Sequence, residues 1–181
     1  MRSVFLIGLM GAGKTTVGRH LSSQLGVPFH DSDHEIETRA GAKIPWIFDV
    51  EGEQGFRDRE TSVIDELTRL PGIVLATGGG AVLRAENRAA LRERGTVVYL
   101  HGSVEQLYHR TSRDRRRPLL QHGDRRETLR RLLSEREPLY RETAHFVFTS
   151  DRRPARALAD EIHRRLRKEC ESAAASEPDT P

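Results

Sequence analysis

Gly8-Leu9-Met10-Gly11-Ala12-Gly13-Lys14-Thr15 is the stretch on which the reading of this chain turns. The apolar run Val4 to Ile7 precedes it, and Val17, Leu21 and Leu25 follow at four-residue spacing, so the loop lies between a strand and a helix. Glycines there let the backbone curl until successive N–H groups face one phosphate cluster. The start of the helix adds partial positive charge, and a lysine at this place reaches the β- and γ-phosphates. Gly11, Ala12, Gly13, Lys14, Thr15 and Thr16 are therefore the candidate nucleotide-binding residues. The Thr15 hydroxyl is the candidate ligand of Mg²⁺.

Working outward, short apolar runs alternate with helical patterns along almost the whole chain, which argues an α/β protein built on a parallel sheet. Strands are expected at Val4 to Ile7, Val27 to His30, Ile73 to Ala76, Thr96 to Leu100 and Phe146 to Thr149. The first helix should stop at Gly26, with Pro28 just beyond. Ser32 with Glu35, and Ser103 with Gln106, have the spacing of capping boxes. Phe56, Val63, Ile64, Leu67 and Leu70 mark a longer helix closed by Pro71-Gly72, and Leu158, Ile162 and Leu166 mark the last. Residues 171–181 are small and polar and are expected to be disordered.

Composition narrows the function classes. At 181 residues one compact domain is expected. Cys170 is the single cysteine, which excludes an intrachain disulfide and a thiolate zinc site and suits a reducing compartment. The eight histidines show no paired metal spacing. Val4 to Met10 is too short to span a bilayer. The net charge of +3 favours an anionic ligand. Arginines crowd between Arg110 and Arg141, but without interleaved aromatics or a nucleic-acid motif, so nucleotide phosphates are the expected target rather than RNA.

A phosphate loop does not name the acceptor of the phosphate, and in open α/β sheets ligands collect at the carboxyl ends of the strands. The second strand leads into Asp31-Ser32-Asp33. One carboxylate there can steer Mg²⁺ through its waters and the other hold a hydroxyl, or Asp33 is only a charge in the first turn of a helix. The third strand leads into Thr77-Gly78-Gly79-Gly80, a close-approach surface with backbone donors or simply a tight turn. Arg57, beside the core residue Phe56, is either a fork for a substrate carboxylate or a surface arginine paired along its helix. Trp46, with Ile44, Ile47 and Phe48, either lines a pocket or packs in the core.

Taken in order, Gly8 to Thr16, Asp31-Ser32-Asp33, Gly52 to Glu60, Ala76 to Gly80, Arg117-Pro118-Leu119-Leu120 and Arg136-Glu137-Pro138-Leu139-Tyr140 resemble the shikimate kinases, of the nucleoside monophosphate kinase-like P-loop group. The resemblance covers residues 1 to about 168. It implies a three-layer P-loop NTPase fold with a five-stranded parallel sheet and a mobile lid, and the use of ATP and Mg²⁺ to phosphorylate the 3-hydroxyl of shikimate. Residues 1–170 would form one kinase domain, with a substrate-binding region near 31–62 and the lid near 111–125.

By the same resemblance Lys14, Asp33 and Arg117 are the catalytic residues, Thr15 holds Mg²⁺ directly and Asp31 holds it through water. Asp33, Arg57, Gly79, Gly80 and Arg136 would bind shikimate, the two arginines taking its carboxylate. Arg110, Arg117 and Arg152 join the nucleotide contacts, with Arg153 as the alternative to Arg152. The expected protein is a cytoplasmic monomer without nucleic-acid or membrane partners. A gluconate-type kinase, a nucleoside monophosphate kinase and a non-catalytic nucleotide switch are the competing readings.

Overall fold

The computed structural model describes residues 2–112, 120 and 123–175. Thr15 stands one residue into the first helix because the loop before it closes as expected: strand β1 is Ser3–Ile7 and helix α1 is Lys14–Leu25. The following elements are β2 (Phe29–Asp31), α2 (Ser32–Ala40), α3 (Ile44–Thr68), β3 (Val74–Ala76), a 3₁₀ turn at Ala81–Leu83, α4 (Ala85–Arg94), β4 (Gly95–His101), α5 (Val104–Thr111), α6 (Arg125–Thr143), β5 (Phe146–Thr149) and α7 (Ala155–Ala175).

All pairings in the sheet are parallel, in the order β2-β3-β1-β4-β5. The central strand β1 is buried along its full length, as a parallel strand covered on both faces must be, whereas the edge strand β5 alternates between half-buried and exposed. Asp31 stands opposite Ala76, and Ala76 opposite Leu6, so register alone brings the ends of β2, β3 and β1 into one row. The chain leaves β1 toward β2 and leaves β3 toward β4. The two loops therefore part and open a crevice at the carboxyl ends of neighbouring strands.

Four sequence expectations shift. β2 starts at Phe29, not Val27, because the Val27 N–H closes the end of α1 on the Ser22 carbonyl (3.1 Å) and leaves extended backbone only after Pro28. Asp31, not Ser32, caps α2: its carboxylate accepts from the N–H groups of Asp33 and His34. Ser103 does cap α5, accepting from the Gln106 N–H.

The third shift concerns α3, which begins at Ile44, well before the stripe opened by Phe56, and breaks at Gly52, where φ is 71° and ψ 179°. Only glycine takes that conformation without strain, so the helix divides into two limbs there. Ile47 is fully buried while Trp46 stays exposed, which removes Trp46 from the core. Last, α7 continues to Ala175. Residues 171–175 are thus helical rather than disordered, since Ala173-Ala174-Ala175 favour helix more than the polar neighbours oppose it. Residues 176–181, and most of the lid expected at 111–125, lie outside the described residues.

Candidate active site

Gly8, Gly11 and Gly13 all take positive φ, and this sequence of turns curls the loop around its own interior. The Lys14 side chain is buried inside it, its Nζ donating to the carbonyls of Gly8 (2.7 Å) and Leu9 (3.1 Å). Thr15 and Thr16 are exposed at the opening of α1. The Thr15 hydroxyl donates to Asp31 Oδ2 at 2.7 Å, while Oδ1 of the same carboxylate caps α2. A hydroxyl and a carboxylate at the edge of a phosphate loop are hard oxygen donors suited to Mg²⁺. Among the described residues no group of three or more His, Cys, Asp or Glu could hold a metal by itself, so the remaining ligands would be phosphate oxygens and water.

Lys14, Thr15, Asp31, Asp33, Gly79 and Arg110 share the wall of a cavity of about 680 Å³. A second hollow of about 660 Å³ is lined by Gln106, His109, Arg110, Asp151 and Arg152 among others. Arg110 belongs to both. Its guanidinium donates to the carbonyls of Gly11 and Ala12 on one side and Ser150 on the other, and burial lowers its pKa against the pull of Asp151. Arg152 lines the second hollow with a φ of 53°, its N–H held by Gln106 Oε1 at 2.8 Å. Arg153 instead pairs with Glu161 on α7.

The candidate acceptor side is assembled from elements distant in sequence. A methyl group placed at Gly78 would lie 2.6 Å from both Asp33 Oδ1 and Glu60 Oε1, so the two carboxylates converge on that glycine. At Gly80 the same methyl would meet the Arg57 guanidinium at 2.3 Å, which is why nothing larger than glycine can lie beneath this arginine. Arg57 is 7% exposed and donates to Glu60 Oε2 at 2.6 Å and to Glu53 Oε1 at 3.2 Å. Burial works against its charge, but Glu60 and Glu53 more than offset this and hold its pKa above the usual arginine value. Arg136, 3% exposed on α6, acts on the same Glu60. Burial pushes the Glu60 pKa up, against the pull of Arg57 and Arg136 and with a contribution from Asp33.

The glycine turn is braced from three sides. The Gly78 N–H donates to Ser32 Oγ (3.0 Å), the Gly79 carbonyl accepts from the Tyr140 hydroxyl, and the Ala81 carbonyl accepts from Asn87 (2.9 Å). None of these bonds uses the N–H of Gly79 or Gly80. Buried, fully partnered bracing of this sort fixes the direction of a backbone donor.

The structure therefore brings Lys14, Thr15, Asp31, Asp33 and Gly79 to one cavity, sets Arg57, Gly78 and Arg136 about Glu60, and places Gly80 beneath Arg57. Neither Arg57 nor Arg136 lines the 680 Å³ cavity itself. Arg117 lies outside the described residues. Glu60 was not singled out from the sequence, although its place three residues after Arg57 on one helix is the spacing of a side-chain pair.

The sequence model of the shikimate kinase family matches residues 10–167. A shikimate kinase of Chromohalobacter salexigens is 60% identical over 166 residues, covering 92% of each chain, and one of Pseudomonas fluorescens is 60% identical over 92% of this chain and 96% of its own. The structure of shikimate kinase from Acinetobacter baumannii in complex with shikimate superposes with a TM-score of 0.92 at 53% identity, over 93% of this chain and 94% of that one. With its phosphate loop, five-stranded parallel sheet and buried arginine pair, the chain belongs to the shikimate kinase family.

Proposed function

We propose that this protein transfers the γ-phosphoryl group of ATP to the 3-hydroxyl of shikimate, giving shikimate 3-phosphate and ADP. One observation carries the reading: Asp33 lines the phosphate-loop cavity and converges on Gly78 with Glu60, the partner of the buried Arg57. A triphosphate site next to a carboxylate site is what phosphorylation of a small hydroxy acid requires. The relative solved with shikimate bound supports the choice of acid.

In this reading Arg57 and Arg136 take the shikimate carboxylate in charge-assisted hydrogen bonds, and the N–H groups of Gly79 and Gly80 add backbone donors. Asp33 orients the 3-hydroxyl toward the γ-phosphorus. The 3-hydroxyl oxygen forms the new P–O bond as the bond to the β-phosphate oxygen breaks, and the hydroxyl proton leaves to Asp33 or to solvent. Loose phosphoryl transfer needs little covalent help, so alignment and positive charge carry the rate. Lys14 exchanges loop carbonyls for β- and γ-phosphate oxygens. Thr15 and, through water, Asp31 would hold Mg²⁺, which when bound neutralises charge on those oxygens. Arg110 and Arg152 flank the rest of the nucleotide, and Arg117 joins the phosphate contacts by resemblance alone.

Among the described residues no helix is long and apolar enough to cross a membrane. The enzyme is taken to act as a cytoplasmic monomer without nucleic acid. A coupled ADP-release assay with MgATP tests the function, comparing shikimate with quinate, gluconate, nucleoside monophosphates and no acceptor. Turnover with shikimate alone is expected. Turnover only with gluconate or a nucleotide keeps the kinase and discards the carboxylate site, and nucleotide binding without turnover favours a switch.

A further inference from the structure

Tyr140 has no role assigned by its motif, yet it touches the acceptor side at Gly79. It is fully buried on α6, one turn after Arg136, and its ring stacks on Tyr99 with centroids 5.0 Å apart and planes 23° apart. Its hydroxyl donates to the Gly79 carbonyl at 2.5 Å. Arg136 lies one turn earlier on the same helix, and its charge acts on that same hydroxyl against the effect of burial.

The Gly79 carbonyl and the Gly80 N–H belong to one planar peptide and point in opposite directions. Fixing the carbonyl therefore fixes the line along which the N–H is offered. The same Gly80 supports the Arg57 guanidinium. A single phenol thus connects Arg136, the Gly79–Gly80 peptide and, through Gly80, the surface under Arg57. Donation from the phenol to the carbonyl also polarises the peptide and strengthens its N–H as a donor.

We propose that Tyr140 is a positioning residue for acceptor binding, its hydroxyl holding the Gly79–Gly80 peptide, beside Arg136, in the arrangement that receives the acid substrate. The inference rests on the proposed assignment of Arg57, Arg136, Gly79 and Gly80 to that substrate. Tyr140 itself does not contact the reacting atoms.

The test is steady-state kinetics on Tyr140→Phe, Tyr99→Phe and Arg136→Lys, each measured against shikimate and against ATP. Tyr140→Phe keeps the ring stack and removes one hydroxyl, and should raise the shikimate KM about tenfold while the ATP KM changes by less than about twofold. A purely structural hydroxyl would lower the folded fraction, which scales the maximal rate and leaves both KM values unmoved. Tyr99→Phe is the control. The Tyr99 hydroxyl is buried without a hydrogen-bond partner among the described residues, so its loss should leave both KM values at wild type.

An unchanged shikimate KM in Tyr140→Phe, with a raised one in Arg136→Lys, overturns the positioning role alone. Equal increases in Tyr140→Phe and Tyr99→Phe also overturn it, because losing a buried hydroxyl with no bond to Gly79 would then have the same effect. A wild-type shikimate KM in Arg136→Lys removes the acceptor-site assignment, and the role of Tyr140 with it.

Discussion

In the proposed assignment the two halves of the site would hold anions by different means. On the nucleotide side eight consecutive residues curl their own backbone around the place proposed for a phosphate cluster, and one lysine would supply the charge. On the acceptor side the charges are two arginines from α3 and α6, set against a buried glutamate and a glycine turn that follows β3. The first device depends on local conformation and the second on tertiary packing. Damage to the first should therefore abolish chemistry in a folded protein, whereas damage to the second should weaken acceptor binding and also unsettle the fold.

Lys14→Ala sets the upper limit of this contrast. It removes the one side-chain cation inside the loop and should lower kcat by about 10³-fold, the scale of losing a transition-state electrostatic contact. Circular dichroism and the unfolding midpoint should stay near wild type. A kcat within tenfold of wild type would place the chemistry elsewhere.

Arg57→Ala should come next. The acceptor carboxylate loses one fork, worth about 2–5 kcal/mol for a buried charge pair, so the shikimate KM should rise about a hundredfold with the ATP KM nearly unchanged. Glu60 is left buried without its 2.6 Å partner, so the unfolding midpoint should fall as well. Equal changes in both KM values would undo the division of the site into two halves.

Glu60→Gln sharpens the comparison, because two effects oppose. Removing a negative charge near an acid substrate favours binding, while losing the direct bond that aims Arg57 disfavours it. The bond is in contact and the repulsion acts past the arginine, so the shikimate KM should rise, by about tenfold. A fall in KM would mean that Glu60 serves mainly as a repulsive charge.

His145 lies away from both halves and should have the smallest effect. Its Nδ1 accepts from the Val97 N–H at 2.9 Å, and burial, followed by Arg92 and Arg2, lowers its pKa below the usual histidine value. The unfolded chain therefore takes up a proton first as pH falls. The contribution is full above about pH 6.5 and is lost as pH drops through the folded-state value. His145→Gln should flatten this part of the stability profile between about pH 7 and 5 in urea titrations, without altering either KM. An unchanged profile would remove His145 as its source.

Legibility in the sequence follows the same division. Lys14, Thr15 and Asp31 could be placed together from motif and element order because their surroundings are local, and the glycines that build the loop are themselves visible. Glu60 was passed over because it reads as one more acid on a charged helix face. Only the packing of Gly78 against it and its burial set it apart. Ser32 has capping-box spacing, yet its hydroxyl is committed to Gly78, while Asp31 takes the cap and Thr15 together. Helix α6 was not marked out at all, since Pro138 inside it reads as a break and its arginines obscure the stripe of Leu129, Leu132 and Leu133.

The sequence by itself determined the alternation of strands and helices, the phosphate loop and its cation, because these depend on neighbours a few residues apart. Tertiary structure decided which arginines became buried forks rather than surface charges. It also decided which glutamate aims one of them and how a tyrosine on α6 came to hold a peptide sixty-one residues earlier. Those outcomes depend on desolvation and on distances across the sheet, and neither quantity exists until the chain has closed on itself.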